Sequence, residues 1–224
     1  MNSLRQTLLI VGLFITTSSM FNQKPKRVIF FGDSLTEAGA KAGGFILRIK
    51  DSLAKKGLGA QFELIGAGIG GNKVYDLYLR MDDDVMAKNP DEVIIWIGVN
   101  DVWHKVSYGT GTDADKFEKF YTAIIKKMQA ANIKVVLCTP AVIGEKTDYT
   151  NQQDGDLNRY AQIIRNLAGR FDCDLVDCRK FFLGYNLKNN TENKESGILT
   201  ADRVHLNERG NQLVADKMLE VLLK

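Results

Sequence analysis

The sequence predicts an α/β fold built on a parallel sheet with helices on both faces. Short, mostly apolar runs alternate along the chain with longer segments whose apolar residues recur at helical spacing. The short runs show little alternation of polar and apolar residues, which is typical of strands buried on both faces of a parallel sheet. Gly, Pro or Asn follows many of these segments and indicates where an element ends.

Five of the short runs are predicted to be strands. They are residues 28–31, 62–65, 93–97, 135–138 and 175–176. Five strands within about 200 residues suit a flavodoxin-like sheet with the strand order 2-1-3-4-5. In that order the loops after strands two, one and three are neighbours at the carboxyl edge of the sheet, the edge at which the strands end. Ligands bind at this edge in open parallel sheets.

Five longer segments are predicted to be helices. They are residues 45–56, 74–87, 113–131, 157–171 and 207–223. Gly57 ends the first of them, Pro90 follows the second, and Asn207 caps the last. The Gly-rich residues 38–43 are expected to form a loop, as are residues 184–196, which are polar and rich in Asn.

The first 22 residues differ in composition from the remainder and resemble a secretory signal peptide. They carry one charge, Arg5, followed by an apolar run at residues 7–15 and small polar residues at 16–19. The apolar run is shorter than the roughly 20 residues that span a bilayer, so stable membrane insertion is not expected. We expect export to the periplasm or the medium, with cleavage near residues 19–21. The alternative is an uncleaved signal that anchors the protein, and in either case residues 23–224 are expected to form a single domain.

Composition excludes several classes of partner. The chain is 45% hydrophobic and 25% charged, with a net charge of +3 spread along its length, as in ordinary globular proteins. No basic block or basic–aromatic alternation predicts nucleic-acid binding. No Cys–His spacing predicts a metal site. The oligomeric state is not predicted from these features.

Three cysteines occur, so complete pairing within one chain is impossible. Cys173 and Cys178 flank one predicted strand, and about 16 Å of extended chain separates them, too far for a disulfide. Cys138 and Cys178 could meet if their strands are neighbours. The other interpretation is that all three are small apolar residues of the core.

The first strand ends in Gly32-Asp33-Ser34-Leu35, which is a candidate catalytic turn. Gly lets the backbone approach a substrate closely, and a Ser at this edge can present its hydroxyl as a nucleophile. An ordinary turn is the competing interpretation, because Gly, Asp and Ser are common turn residues.

A serine nucleophile needs a base, and the chain has two histidines. His205 follows Asp202 by three residues, so the acid can bond one ring nitrogen and leave the other free for a serine. Alone, this pair also fits a solvated surface contact. His104 has no well-placed acid behind it and is interpreted as a pocket wall or a surface residue. Its neighbour Trp103 could stack on a sugar face.

Acyl transfer also requires donors for the negative charge that develops on the carbonyl oxygen. The predicted strand order brings Gly71, Ser34 and Asn100 to one place. Backbone N–H groups of the Gly-rich loop and the side-chain amide of Asn100 are suitable donors. The alternative for residues 68–71 is a phosphate-binding loop, but the Lys-Ser/Thr ending of a P-loop and the spaced glycines of a dinucleotide fold are missing.

Four segments together resemble the SGNH hydrolases, also called GDSL esterases or lipases. The segments are F-G-D-S-L-T at residues 31–36, G-I-G-G-N at 68–72, G-V-N-D at 98–101 and D-R-V-H at 202–205. They occur in the family's order from the first strand to the last helix. The resemblance implies a three-layer α/β/α sandwich that hydrolyses esters or thioesters without a metal or cofactor.

Carried over by position, the resemblance makes Ser34 the nucleophile, His205 the base and Asp202 its orienting acid. It also implies an oxyanion hole formed by Ser34, Gly71 and Asn100. One departure is Gly70, where many members have a small hydroxyl residue.

The sequence therefore predicts an exported serine esterase that forms an acyl-serine intermediate. Asp33 and Trp103 are expected to contact the substrate, which is predicted to be a small-molecule or glycan ester with a short acyl or acetyl group. A lysophospholipase or thioesterase of the same family is one alternative. The other is a non-catalytic flavodoxin-like binding module, which would not need the serine, aspartate and histidine together.

Overall fold

In the computed structural model, which describes residues 24–224, five strands form one parallel sheet in the order β2-β1-β3-β4-β5. The strands are β1 (Lys26–Gly32), β2 (Phe62–Gly68), β3 (Glu92–Trp96), β4 (Lys134–Cys138) and β5 (Asp174–Val176). The predicted α/β fold and strand order are confirmed. The apolar runs of β1 and β3 are almost completely buried, as expected for central strands covered on both faces.

Eight α-helices surround the sheet within the described residues. They are α1 (Ser34–Gly39), α2 (Phe45–Lys55), α3 (Val74–Asp84), α4 (Val99–Ser107), α5 (Ala114–Ala130), α6 (Asp154–Arg170), α7 (Cys178–Asn189) and α8 (Glu208–Leu222). Helix α2 packs against α8, while α3 packs against α5 and α5 against α6. The apolar stripe of each long helix faces the sheet, so the core lies in the two layers between sheet and helices.

The carboxyl ends of the strands are level with one another. Gly32 at the end of β1 pairs with Gly68 of β2 on one side and with Trp96 of β3 on the other. Trp96 in turn pairs with Cys138 of β4. Because the strands end in register, the loops that follow β1, β2 and β3 begin side by side at the carboxyl edge.

The prediction of a surface loop over residues 184–196 is wrong for its first part, because residues 184–189 belong to helix α7. Asp177 caps this helix by accepting a hydrogen bond from the N–H of Lys180. Two of the residues that α7 buries, Arg179 and Asn186, are polar. The usual apolar stripe is therefore weak, and the helix could not be recognised from its pattern.

All three cysteines are free, with Cys138 and Cys178 buried and Cys173 partly buried. The pairing of Cys138 with Cys178 that the sequence left open is therefore not observed, and these side chains contribute to the apolar core.

No helix within residues 24–224 has the length and apolar character needed to cross a bilayer. The predicted signal peptide, residues 1–22, lies outside the described residues.

Candidate active site

Ser34, His205 and Asp202 meet at the carboxyl edge of the sheet. Ser34 is the first residue of α1, and its Oγ lies 3.0 Å from Nε2 of His205. On the other side of the ring, Nδ1 of His205 lies 2.7 Å from Oδ2 of Asp202. The aspartate accepts a hydrogen bond from Nδ1–H, which leaves Nε2 as an acceptor for the serine hydroxyl. The structure thus brings together three residues that the sequence separates by up to 171 positions.

The loop that carries His205, residues 197–207, is fixed by its own hydrogen bonds. Oδ1 of Asp202 accepts from the backbone N–H of His205 at 2.8 Å and from that of Val204 at 3.2 Å. The N–H of Ala201 donates to the carbonyl of His205, which closes the turn, and Arg203 at its tip has a φ of +85°. The short acid-to-histidine spacing therefore folds into a turn in which one carboxylate oxygen holds the backbone and the other holds the ring.

The pKa of Asp202 lies below its ordinary value. Partial burial raises the pKa, but the hydrogen bonds from the ring and backbone of His205 and from the N–H of Val204 outweigh that effect. The side chain is therefore a carboxylate at neutral pH, as an orienting and charge-stabilising partner of an imidazole must be.

Asp33 does not reach the open part of the site, contrary to the prediction that it contacts substrate. Its side chain is only 1% exposed, and its Oδ1 accepts from the N–H of Leu35 at 3.0 Å. This bond caps α1 and fixes the turn that presents Ser34. Burial raises the pKa of Asp33 to about 7, because few groups compensate the carboxylate there.

The loop after β2, residues 69–73, lies beside Ser34. A Cβ added at Gly70 would be 4.0 Å from the Cβ of Ser34, and Gly71 has a φ of +76°, which favours glycine. Asn100 is the second residue of α4 and is 2% exposed, and its Nδ2 donates to the carbonyl of Asn72 at 3.1 Å. The three residues predicted to supply oxyanion donors therefore lie just after the ends of three neighbouring strands, as the strand order requires.

Arg80 is a residue of this site that the sequence did not single out. Its guanidinium donates to Oδ1 of Asn72 at 2.7 Å, to the carbonyl of Gly32 at 2.7 Å and to that of Ala67 at 3.1 Å. One side chain thereby ties the 69–73 loop to the ends of β1 and β2. No local pattern marks it, because its partners lie 8 to 48 positions away in sequence.

Two further side chains hold the same loop. Oε2 of Glu37, on α1, accepts from the N–H of Gly70 at 2.9 Å, and Nζ of Lys73 donates to the carbonyl of Gly71 at 3.1 Å. The loop is therefore restrained on both sides although it contains two consecutive glycines, one of which replaces the family's small hydroxyl residue.

Aromatic residues of α4 form a wall of the site. The ring centroid of Trp103 lies 6.5 Å from that of His205 and 5.7 Å from that of His104. His104 also packs edge-on against Tyr108, at 4.8 Å. Partial burial and the charge of Lys73 lower the pKa of His104, so its ring is held in the neutral form. This placement agrees with the interpretation of His104 as a pocket wall.

A buried carboxylate, Glu145, anchors the start of the His205 loop, and the sequence gave no signal for it. It is 1% exposed and accepts from three consecutive backbone N–H groups, those of Ile198 at 2.9 Å, Leu199 at 2.7 Å and Thr200 at 3.1 Å. These residues lead directly into the turn of Asp202 and His205, so Glu145 restrains the segment that enters this turn.

Among residues 24–224, no three His, Cys, Asp or Glu side chains cluster closely enough to hold a metal ion. The chemistry that the observed groups support is nucleophilic attack by an activated hydroxyl, with donors placed for an oxyanion.

Comparison with known proteins agrees with this chemistry. The family model for the GDSL-like lipase/acylhydrolase family matches residues 30–213. A crystal structure of an acetyl xylan esterase, AlAXEase, is 66% identical, covers 88% of this chain and 99% of its own, and superposes with a TM-score of 0.87. An acetylxylan esterase of Geobacillus stearothermophilus is 24% identical over 210 residues, which are 87% of this chain and 92% of the relative. An uncharacterised lipoprotein of Bacillus subtilis (strain 168), YqeF, is 23% identical over 236 residues, covering 94% of this chain and 95% of that protein.

The fold, the chemistry of the site and these matches define the class of protein as a carboxylic-ester hydrolase. Within that class, the chain belongs to the GDSL-like lipase/acylhydrolase family, as its four motifs predicted. The alternative of a non-catalytic binding module does not fit this assignment.

Proposed function

We propose that the protein removes acetyl groups from carbohydrate esters, with Ser34 as nucleophile, His205 as general base and Asp202 as the acid that orients it. The observation that carries the proposal is the 3.0 Å contact between the Ser34 hydroxyl and His205, with Asp202 on the other ring nitrogen. The names of two relatives support the substrate class, because both are acetylxylan esterases.

The reaction begins when Oγ of Ser34 attacks the ester carbonyl and its proton passes to Nε2 of His205. The imidazolium that forms is stabilised by the carboxylate of Asp202. Collapse of the tetrahedral intermediate releases the alcohol, which takes its proton from His205. A water molecule, deprotonated by the same histidine, then hydrolyses the acetyl-Ser34 ester and regenerates the enzyme.

The oxyanion of each tetrahedral intermediate is proposed to accept hydrogen bonds from the N–H groups of Ser34 and Gly71 and from Nδ2 of Asn100. Ser34 is the first residue of α1, so its N–H has no partner within the helix. Only one of the two amide hydrogens of Asn100 is used by Asn72, and the other remains for the substrate. Trp103 is proposed to pack against the alcohol portion of the ester, since it lies beside His205.

The proposal is tested by comparing wild type with Ser34→Ala on a short-chain chromogenic acetate ester and on acetylated xylan. Ser52→Ala, on helix α2, is a matched control that removes a hydroxyl outside the proposed triad. We expect Ser34→Ala to lose at least about 10³-fold in kcat and the control to retain wild-type activity. Equal hydrolysis by Ser34→Ala and wild type would show that Ser34 is not the nucleophile.

The acyl group is tested with a series of esters of increasing chain length. Activity that falls steeply beyond acetate supports the proposed substrate. Activity that rises with chain length would instead favour the lysophospholipase or thioesterase alternative.

We further propose that the protein is exported, because residues 1–22 have the composition of a signal peptide and one relative is a lipoprotein. Expression of the full chain, followed by fractionation and N-terminal sequencing, tests this. The expected product lies outside the cytoplasm and begins near residue 20; an unprocessed membrane-bound product supports the anchored alternative, and an unprocessed cytoplasmic product contradicts export.

A further inference from the structure

The loop that joins β4 to α6, residues 139–153, separates two cavities. The smaller, of about 290 Å³, borders Arg203, which lies between Asp202 and His205 in sequence. The larger, of about 460 Å³, lies between this loop and helix α7. Side chains of Lys146, Asn151 and Gln152 line both cavities, so the two share a wall. A single layer of side chains therefore separates the larger cavity from the smaller one, which borders the loop that carries the proposed base.

The 139–153 loop, which carries the shared wall, is attached directly to the His205 loop, because the N–H of Gly144 donates to the carbonyl of Arg203 at 2.9 Å. The N–H of Thr147 donates to Oδ1 of Asn193, which lies just before the His205 loop, at 2.7 Å. Nδ2 of Asn193 in turn donates to Oδ2 of Asp148 at 2.6 Å. A ligand held by this wall would therefore be positioned with respect to the reacting groups.

Tyr149 stands on the wall and is presented to solvent in an uncommon conformation. Its side chain is 95% exposed, and its φ is +66°, a region that bulky residues rarely adopt. Asp148 stabilises the turn by accepting from the N–H of Thr150 at 3.1 Å and from its Oγ1 at 2.6 Å. Such strain persists when the surroundings impose it, and it is concentrated at functional sites. Here it fixes the backbone that carries an aromatic ring without burying the ring.

The remaining walls of the larger cavity combine apolar and polar groups. Leu183 and Leu187 of α7 contribute an apolar side, and Leu187 is 68% exposed. The floor contains Arg179, which is 1% exposed and donates to Oδ1 of Asn158 at 2.8 Å and to Oδ1 of Asp154 at 2.6 Å. Because the guanidinium is paired with a carboxylate, the floor is polar but does not demand a charged ligand.

We propose that the larger cavity is a subsite for the neutral carbohydrate chain that bears the ester, with the ring of Tyr149 as its stacking platform. This inference rests on the proposed function. A pyranose presents an apolar C–H face that suits an aromatic ring and a rim of hydroxyls that suits the amide and carboxylate groups. Polar side chains stand among the apolar ones in this lining, as the hydroxyls and C–H face of a sugar ring require.

A subsite separated from the scissile bond by a wall of side chains stabilises the bound substrate and the transition state equally. Its loss therefore raises KM for an oligosaccharide and leaves kcat unchanged, whereas a small ester that cannot reach the subsite is unaffected.

The test compares Tyr149→Ala and Tyr149→Phe on an acetylated xylo-oligosaccharide and on a small chromogenic acetate ester. Tyr149→Ala is expected to raise KM for the oligosaccharide about five- to tenfold, as for loss of an aromatic anchor at an interface. Tyr149→Phe keeps the ring and is expected to behave as wild type, and both variants are expected to hydrolyse the small ester normally. Leu187→Ala is expected to raise the same KM, with Leu79→Ala, a 76% exposed leucine of α3, as its matched control.

The outcomes separate this inference from the proposed function. If Tyr149→Ala and wild type release acetate from the oligosaccharide with the same KM, the subsite proposal is wrong and the proposed function stands. Hydrolysis of the small ester without any release from the oligosaccharide by wild type overturns both the carbohydrate substrate and the subsite. An increase in KM of the same size for the small ester would show a general structural effect of the substitution and would also overturn the subsite.

Discussion

The two carboxylate oxygens of Asp202 have separate tasks, and this division shows how single residues position the reacting atoms. Oδ1 holds the backbone N–H groups of Val204 and His205, while Oδ2 holds the imidazole. Because both tasks fall to one side chain three residues before the histidine, the turn and the ring are fixed together. Asn100 is a second residue with two tasks: it donates to the carbonyl of Asn72 and is proposed to offer its other amide hydrogen to the substrate.

Substitution Asn100→Ala tests that donor. Removal of one oxyanion donor costs about 2.7–4 kcal/mol of transition-state stabilisation, so we expect kcat on the acetate ester to fall about 10²–10³-fold. KM should change little, because the donor acts on charge that develops only during the reaction. Steady-state kinetics with a folding check by thermal unfolding measures this, and a change confined to KM would show that Asn100 only binds substrate.

Arg80 is predicted to act as a positioning residue for the loop at residues 69–73, which carries the proposed oxyanion donor Gly71. Lysine keeps the charge of Arg80 but cannot donate to Asn72, Gly32 and Ala67 at once, because it lacks the planar fork of donors. We expect Arg80→Lys to lower kcat about tenfold with little change in KM, as for a small displacement of the donors.

The control for this substitution is Asp84→Asn, which removes the ion pair between Nη1 of Arg80 and Asp84 but leaves the loop contacts intact. Partly exposed ion pairs contribute little, so Asp84→Asn should retain wild-type kinetics. Equal losses in the two variants would mean that the ion pair of Arg80 with Asp84, and not its contacts with the loop, accounts for the loss of activity.

The residues of the four motifs could be predicted from sequence because each motif is local and contains the reactive group itself. Ser34, Gly71, Asn100 and the Asp202–His205 pair are of this kind. Arg80 could not be predicted, since its role exists only when β1, β2 and α3 are assembled. The contact predicted for Asp33 did not fit, because the residue next to the nucleophile caps α1 instead of facing the substrate.

At the scale of elements, the strands and long helices could be predicted because their burial follows a simple pattern. Helix α4 was not predicted: it begins within the Gly98–Asp101 motif, whose Gly and Asn resemble a loop. Helix α7 was not predicted either, because it buries an arginine and an asparagine. In both helices, polar residues occupy buried positions and obscure the apolar pattern that would predict a helix.

The loop between α7 and α8 has no regular structure of its own, so its anchor at Glu145 is predicted to decide its stability. In Glu145→Gln the amide oxygen can replace only one carboxylate oxygen, and the new NH₂ group faces a backbone donor among Ile198, Leu199 and Thr200. We expect a loss of about 2–4 kcal/mol in the free energy of unfolding, together with lower kcat as the His205 loop loosens.

Urea unfolding and acetate-ester kinetics of Glu145→Gln measure the two effects. Glu195→Gln is the matched control, because Glu195 is exposed and pairs with Arg203 at 2.9 Å on the surface. Its free energy of unfolding should change by less than about 1 kcal/mol. Wild-type stability in Glu145→Gln would show that the three N–H groups do not depend on the carboxylate.

For the whole molecule, the site is built on two buried carboxyl groups that oppose stability at neutral pH. Asp33 lies at the end of β1 and Asp101 in α4, and each is at most 1% exposed. Burial raises the pKa of each to about 7, from an ordinary 3.8, and repulsion from Asp101 also raises the pKa of Asp33. The N–H of Val74 and the charge of Lys73 counteract this at Asp101 without cancelling it.

The sign of the pH dependence follows from these pKa values. Between about pH 4 and 7 the folded state keeps protons that the unfolded state has released, so the free energy of unfolding falls as the pH rises through this window. Above about pH 7 both states are ionised and the contribution becomes constant. A shift of about three pKa units at one carboxyl corresponds to about 4 kcal/mol, which is an upper value because the protein can relax around the charge.

Asp101→Asn removes one of these titrations while keeping an oxygen that can accept from the N–H of Val74, now 3.2 Å from Oδ1. We expect the stability of the variant, relative to wild type, to increase by about 1–4 kcal/mol between pH 4.5 and pH 8. Urea unfolding at both pH values measures the difference, with the exposed Asp83→Asn as control. A difference that stays constant with pH would mean that Asp101 ionises in the folded protein as it does in the unfolded chain. Its burial beside Asn100 would then carry no electrostatic cost. An increase would show that the protein gives up stability at neutral pH to keep helices α3 and α4 joined through a buried acid.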